Sequence, residues 1–155
     1  VFVVIPAGAF EGLFGNQLAA INTYDFTTVA LALGDAFEGG FLICCASSTY
    51  WIVAPVSTQV TRTWYDRNDA ITTANAQAAC SDWFIPSRAQ LQNPGFTCRT
   101  YWDTAATGTV WGNNSVNTAQ GCGVYFQPGQ PYSGDGDTHA KPNTFSVRAF
   151  RTVSY

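Results

Sequence analysis

Short β-rich apolar runs alternate along this chain with polar joints punctuated by glycine. Residues 1–33 carry Val, Phe, Leu and Ala, with Gly8, Gly12 and Gly15 between them and only two charges, Glu11 and Asp25. The opening Val1-Phe2-Val3-Val4-Ile5 reads as a strand, too short and too poor in basic flanks for a secretory leader. Phe41-Leu42-Ile43-Cys44 and Tyr50-Trp51-Ile52-Val53 are bounded by Gly and Ser, which predicts two strands joined by a turn over 45–49. The period then lengthens. Asn68 or Asp69 can cap a helix over 70–79 that places Ile71, Ala74 and Ala78 on one face. Ser87 and Gln90 have the spacing of a capping box, so a second helix is predicted to start there, and Pro94-Gly95 should stop it. Pro86 keeps the approach to that helix extended, with Trp83 and Ile85 on one side of it. No helical period follows between 96 and 144. Val124-Tyr125-Phe126 predicts a short strand, while Pro128-Gly129 and 134–137 signal turns. The rest of that stretch is expected to be a long irregular connection, which in a compact domain usually serves function. At the end, Phe145, Val147 and Ala149 alternate with Ser146, Arg148 and Phe150, predicting one strand over 145–153.

Composition narrows the class. A length of 155 residues suits one domain, or one domain plus an arm. Hydrophobic residues at 46% and aromatics at 15% are enough for a core. Charged residues reach only 11%, against ~25% in an ordinary domain. The surface is therefore expected to be covered by Ser, Thr, Asn, Gln and Gly, or buried against partners. The net charge of −3 comes without a basic patch, which argues against a nucleic-acid partner. No run of apolar residues is long enough for a helical membrane span. The chain holds no Met, as expected if it starts inside a longer product or has lost its first residues. Cysteines at 44, 45, 80, 98 and 122 are odd in number, so at least one is unpaired or bonded to another chain. None has the close Cys/His spacing of a metal site. No metal and no cofactor is expected.

Candidate chemistry is sparse. His139 is the single histidine and stands among Asp135, Asp137 and Lys141. A catalytic triad needs a base held rigidly by a carboxylate, and a Gly-Asp-Gly-Asp-Thr-His stretch reads instead as a solvated loop. Glu11 and Glu38 are the only glutamates, leaving no evident carboxylate pair for glycoside hydrolysis. Asp135 and Asp137 form a fragment of a calcium loop without the acids that would complete it. The chain is expected not to be an enzyme. Aromatic rings beside amide side chains suit sugars, because the face stacks and the amide bonds hydroxyls. Trp111, Asn113, Asn114 and Tyr132, with Asp135, Asp137 and His139, are therefore the candidate ligand-binding residues. Tyr101 and Trp102 are expected to pack inward. Arg88 and Arg148 are expected to bond internal carbonyls or a carboxylate.

The segment Asp82-Trp83-Phe84-Ile85-Pro86-Ser87-Arg88-Ala89-Gln90-Leu91 resembles a family signature, D-W-[FY]-[IL]-P-S-[RK]-x-[EQ]-L. That signature belongs to the C-terminal adhesin domain of bacterial collagen-like proteins and many phage fibre proteins, a branch of the C-type-lectin-like fold. Three other pieces resemble the family in order: Gly34-Asp35-Ala36-Phe37-Glu38-Gly39-Gly40-Phe41, then Trp51-Ile52-Val53-Ala54-Pro55, then Asn143-Thr144-Phe145-Ser146-Val147-Arg148-Ala149-Phe150-Arg151. The resemblance makes Trp83, Pro86, Ser87, Arg88, Gln90 and Arg148 structural positions of the motif. It implies an α+β, C-type-lectin-like domain over 34–155, with two short helices and an irregular long-loop region, preceded by an apolar β-rich assembly arm over 1–33. This sequence departs from calcium-dependent lectins. Gln127-Pro128-Gly129 lacks the carboxylate of Q-P-D, and Trp111-Gly112-Asn113-Asn114 lies on the wrong side of it. The function implied is that of a non-enzymatic phage virion surface protein, a fibre or fibre-tip adhesin binding host-surface glycan or protein through 103–143. A homo-oligomer, most simply a trimer, and contacts with other virion proteins through 1–33 are the expected assemblies. The alternative is a capsid-decorating or cement protein anchored by the arm. An enzyme of the sulfatase-modifying branch of the same broad fold would require reactive cysteines or a metal.

Overall fold

Two sheets, one built around a hairpin and one around a meander, are joined by the closing segment of the chain. The computed structural model describes residues 31–77, 80–104, 106–127, 129–130 and 133–155. Residues from Leu31 onward form one unit, mixed α+β and mostly β. Apart from 31–33, the expected arm lies outside the described residues.

The first sheet has the order β1 (Ala36–Phe37), β2 (Gly40–Ala46), β3 (Thr49–Val53), β9 (Phe150–Ser154), all antiparallel. The β2–β3 turn is tighter than the expected 45–49. Cys45 and Ala46 belong to β2, leaving Ser47 and Ser48 as a two-residue turn at φ 51° and 57°. Two left-handed residues match the twist of a hairpin. Serines carry that conformation less readily than Asn-Gly, so the turn signal looked broader than it is.

The second sheet has the order β4 (Val60–Thr63), β8 (Thr144–Val147), β5 (Thr109–Ser115), β6 (Gln120–Tyr125), β7 (Gly136–Ala140). Its β5–β6–β7 meander occupies the stretch expected to be irregular. Gly, Asn and Ser in these strands have low β-propensity, and cross-strand packing overrides it. Gly121 shows how: a side chain there would collide with the indole of Trp64. The expected single strand over 145–153 is also corrected. β8 pairs antiparallel with β4 and touches β5 in parallel, whereas β9 pairs with β3 in the other sheet. The chain changes sheets at Arg148-Ala149, both buried.

The first helix, α1 (Asp69–Gln77), starts one residue before the expected span and buries Ala70 and Ala74. Ala78 lies outside the described residues. The second, α2 (Arg88–Gln90), starts at a full capping box: Ser87 Oγ accepts from the Gln90 amide at 3.2 Å, and Gln90 Oε1 accepts from the Ser87 amide at 2.8 Å. A wider helical turn continues over Leu91–Phe96 and includes Pro94. The break comes at Asn93, which is extended (φ −142°, ψ 118°), one residue earlier than the expected stop.

Ile43, Val53, Leu91, Trp102, Val110, Phe126 and Phe150 form the main core. Trp83 packs in a second group with Ile52, Ala54 and Ala74, and Ile85 in a third with Ala70, Trp111 and Val147. Trp102 is buried as expected, but Tyr101 is 39% exposed. Among the described residues no helix is long and apolar enough to cross a membrane.

Candidate functional site

Trp111 is not a surface residue. It is wholly buried, donates its indole N–H to the Arg62 carbonyl at 3.2 Å, and packs on Phe145 with centroids 4.8 Å apart. The reason is topological: β5 lies between β8 and β6, inside the second sheet. Tyr132 lies outside the described residues. Asn113 and Asn114 are exposed but tied to the α2 corner. The Asn113 amide donates to the Pro86 carbonyl at 2.9 Å, and Asn114 Oδ1 accepts from the Arg88 amide at 2.6 Å. Asp135 is exposed just before β7, its carbonyl accepting from the Tyr125 amide at 3.1 Å. Asp137 and His139 stand two apart on β7, with Nε2 and Oδ2 separated by 4.0 Å. His139 is not the solvated loop residue expected. A strand holds it, its side chain is 25% exposed, and its ring packs against Phe145 at 4.8 Å and Trp111 at 5.9 Å. The structure therefore gathers Trp111, Asp137 and His139 around one part of the second sheet and commits Asn114 to the helix corner.

Both motif arginines serve internal bonds. Arg148 is fully buried; its Nε donates to the Ala54 carbonyl at 2.6 Å and its Nη1 to the Thr104 carbonyl at 2.5 Å, while Nη2 meets the Asp103 carboxylate. Asp103 also accepts the Val56 amide at 2.7 Å. Burial alone would raise the Asp103 carboxyl, but the Val56 amide and the Arg148 guanidinium outweigh it and hold it below the usual carboxylate range. Arg88 Nη2 donates to the Gly136 carbonyl, fastening α2 to β7.

A second group of residues, absent from the set expected from sequence, lies at the end of β4. Thr63 Oγ1 donates to Asp66 Oδ2 at 2.6 Å, and the Trp64 amide donates to the Lys141 carbonyl at 3.0 Å. The Lys141 amide in turn donates to the Ala119 carbonyl at 2.9 Å. Trp64 lies against Gly121 and donates its indole N–H to the Gly112 carbonyl at 3.1 Å. Two cations flank this ring. The Arg67 guanidinium carbon is 3.6 Å from its centroid and the Lys141 ammonium 4.1 Å. Tyr65, 57% exposed, has its ring centroid 5.9 Å from the same ammonium.

The charges here are unequally satisfied. Arg62, Arg148 and Arg151 pair with carboxylates. Arg67, Arg88 and Arg99 donate to the carbonyls of Trp64, Gly136 and Phe96. Lys141 is only 6% exposed, and its ammonium has no hydrogen bond or ion pair among the described residues. Removing an ion from water costs several kcal/mol, whereas a desolvated cation–π contact returns about 2. Among the described residues, the two rings are what the ammonium meets. Burial also pulls the Arg67 guanidinium below its ordinary value, and its Nε is sealed without an acceptor. The adjacent Trp64-Tyr65 pair with Arg67 three residues on was the available sequence signal. The approach of Lys141 was not.

The five cysteines are free. Burial first, then Cys98 and Cys45, push the Cys44 thiol up to about 11, so it is protonated at neutral pH. A hollow of about 270 Å³ beside the β2–β3 turn is lined by Cys44, Trp51 and Pro94 among others. Among the described residues no three metal-ligating side chains cluster. Compared with known protein families and with curated protein sequences, the chain gives no match.

Proposed function

We propose that this chain is a non-enzymatic recognition protein of the phage virion surface, a fibre or fibre-tip adhesin built on the C-type-lectin-like fold. The fold reading is supported by the 82–91 corner, where the capping box spans the motif residues Ser87 and Gln90, and by β9 returning to the β2–β3 hairpin. The observation that carries the functional reading is the exposed Tyr65 ring beside the Lys141 ammonium, which has no acceptor among the described residues, in the turns that follow β4 and β7. An exposed aromatic next to an unsatisfied cation is how a surface prepares for a polar ligand that it partly desolvates. Recognition is thus proposed at the β4 end and β7 rather than through Trp111. Homo-oligomerisation, most simply a trimer, and contacts through 1–33 belong to the same proposal.

The test is attachment of the full chain to a panel of bacterial cells and to a glycan array, with and without calcium. Saturable, calcium-independent attachment that weakens in Tyr65→Ala is the expected result. Absence of attachment to every surface, with particle binding lost when 1–33 is deleted, would instead make the chain a decoration or cement protein. A monomer in light scattering would remove the trimer.

A further inference from the structure

We infer that Lys141, Trp64 and Tyr65 form a binding site for a phosphorylated sugar, with the phosphate at the Lys141 ammonium and the sugar ring on Tyr65. This deepens the adhesin reading, and its sugar component rests on that reading. The case for an anion starts from the charge inventory. Of seven basic residues, Lys141 is the one whose charged group has no acceptor among the described residues, although it is 94% removed from solvent. Arg67 adds a second positive charge beside the same indole, 3.6 Å from the ring centroid. Bulk attraction is not the source, because the chain as a whole carries −3.

The kind of anion follows from the donor. An arginine fork clamps carboxylate and phosphate alike, and here Arg67 Nη1 is committed to the Trp64 carbonyl at 2.7 Å. What has no acceptor among the described residues is a compact ammonium with three donors, which suits a tetrahedral phosphate as a point charge. The ring assignment follows from Tyr65, which is 57% exposed and whose centroid stands 5.9 Å from the ammonium. That spacing suits an anionic substituent and the sugar carrying it, since aromatic faces stack on sugar rings.

The experiment is titration of the full chain with α-D-glucose 1-phosphate, glucose, inorganic phosphate and galacturonate, followed by calorimetry and by the tryptophan indole N–H signals. Expected is saturable binding of glucose 1-phosphate, with inorganic phosphate weaker and glucose and galacturonate weaker still. Lys141→Gln should lower the affinity for glucose 1-phosphate by about tenfold or more, the loss of one charge-assisted contact. Tyr65→Ala alters an exposed ring and leaves the fold intact, so it tests the site even if Lys141→Gln unfolds. It should weaken glucose 1-phosphate and spare inorganic phosphate. Equal binding of glucose and glucose 1-phosphate, equal binding of galacturonate, unchanged affinity in either folded variant, or no binding of glucose 1-phosphate would each overturn the inference. The two proposals fail separately. Host attachment that survives Lys141→Gln removes this site and leaves the adhesin. Glucose 1-phosphate binding without attachment to any cell removes the adhesin and leaves the anion site.

Discussion

Arg148 ends one sheet and lets the next begin. Its guanidinium is fully buried and is held by two carbonyls and the Asp103 carboxylate. Removing one partner of a buried pair strands a charge, which costs more than the pair itself contributes. Asp103→Asn is therefore expected to lower stability by about 3 kcal/mol, the lower end for such a loss because the carboxylate is 17% exposed, read from the urea midpoint. Acid should show the same link. The folded Asp103 carboxyl lies below its unfolded value, so its contribution is complete above the ordinary carboxylate range. That contribution disappears as pH falls through the depressed folded value. A urea series at falling pH should show a shallower acid decline in Asp103→Asn than in the parent. Trp111 belongs to the same scale. As a wholly buried indole, its replacement by Ala should cost about 3–5 kcal/mol in the absence of any ligand. A stability unchanged by Trp111→Ala would restore it to the surface.

Among the elements, α2 is the most local in origin and the most consequential in place. Three residues of helix cannot hold themselves, since helix nucleation is unfavourable. The Ser87–Gln90 box fixes its start, and Asn114 and Gly136 accept from Arg88 to fasten it to β5 and β7. Ser87→Ala is expected to cost about 1 kcal/mol, visible as a lowered thermal midpoint, with the effect absent in Ser87→Asp, where a capping oxygen is kept. The β5–β7 meander behaves differently. Its glycines contribute no β-propensity, and Gly121 earns its place by admitting Trp64, which seats the Lys141 site.

For the whole molecule, the closing segment is what makes two sheets one unit: β8 lies between β4 and β5, and β9 borders β3. Residues from Leu31 onward hold all three buried clusters. A fragment of 31–155 is accordingly expected to unfold in a single cooperative transition, with coincident fluorescence and circular-dichroism midpoints, as single small domains do. Separate transitions would mean that the sheets are independently stable and that Arg148 joins them only weakly.

The sequence by itself determined the features encoded over a few residues. The capping box at Ser87, the helix after Asn68, the β2 and β3 runs and the inward duty of Arg148 all follow from spacing or from the cost of burying a charge. Only the tertiary structure decided where non-local partners meet. It turned a glycine-rich stretch into three strands, because neighbouring strands and Trp64 supply what those residues lack. It buried Trp111 by placing β5 inside the sheet, lifted His139 out of the expected loop onto β7, and divided the last segment between two sheets. It also brought Lys141 to Trp64 and Tyr65 from far along the chain. Periodicity reports which face a residue takes within its own element. Which other element covers that face, and which charge is left without a partner, depends on strand order, and strand order is set by packing over the whole fold.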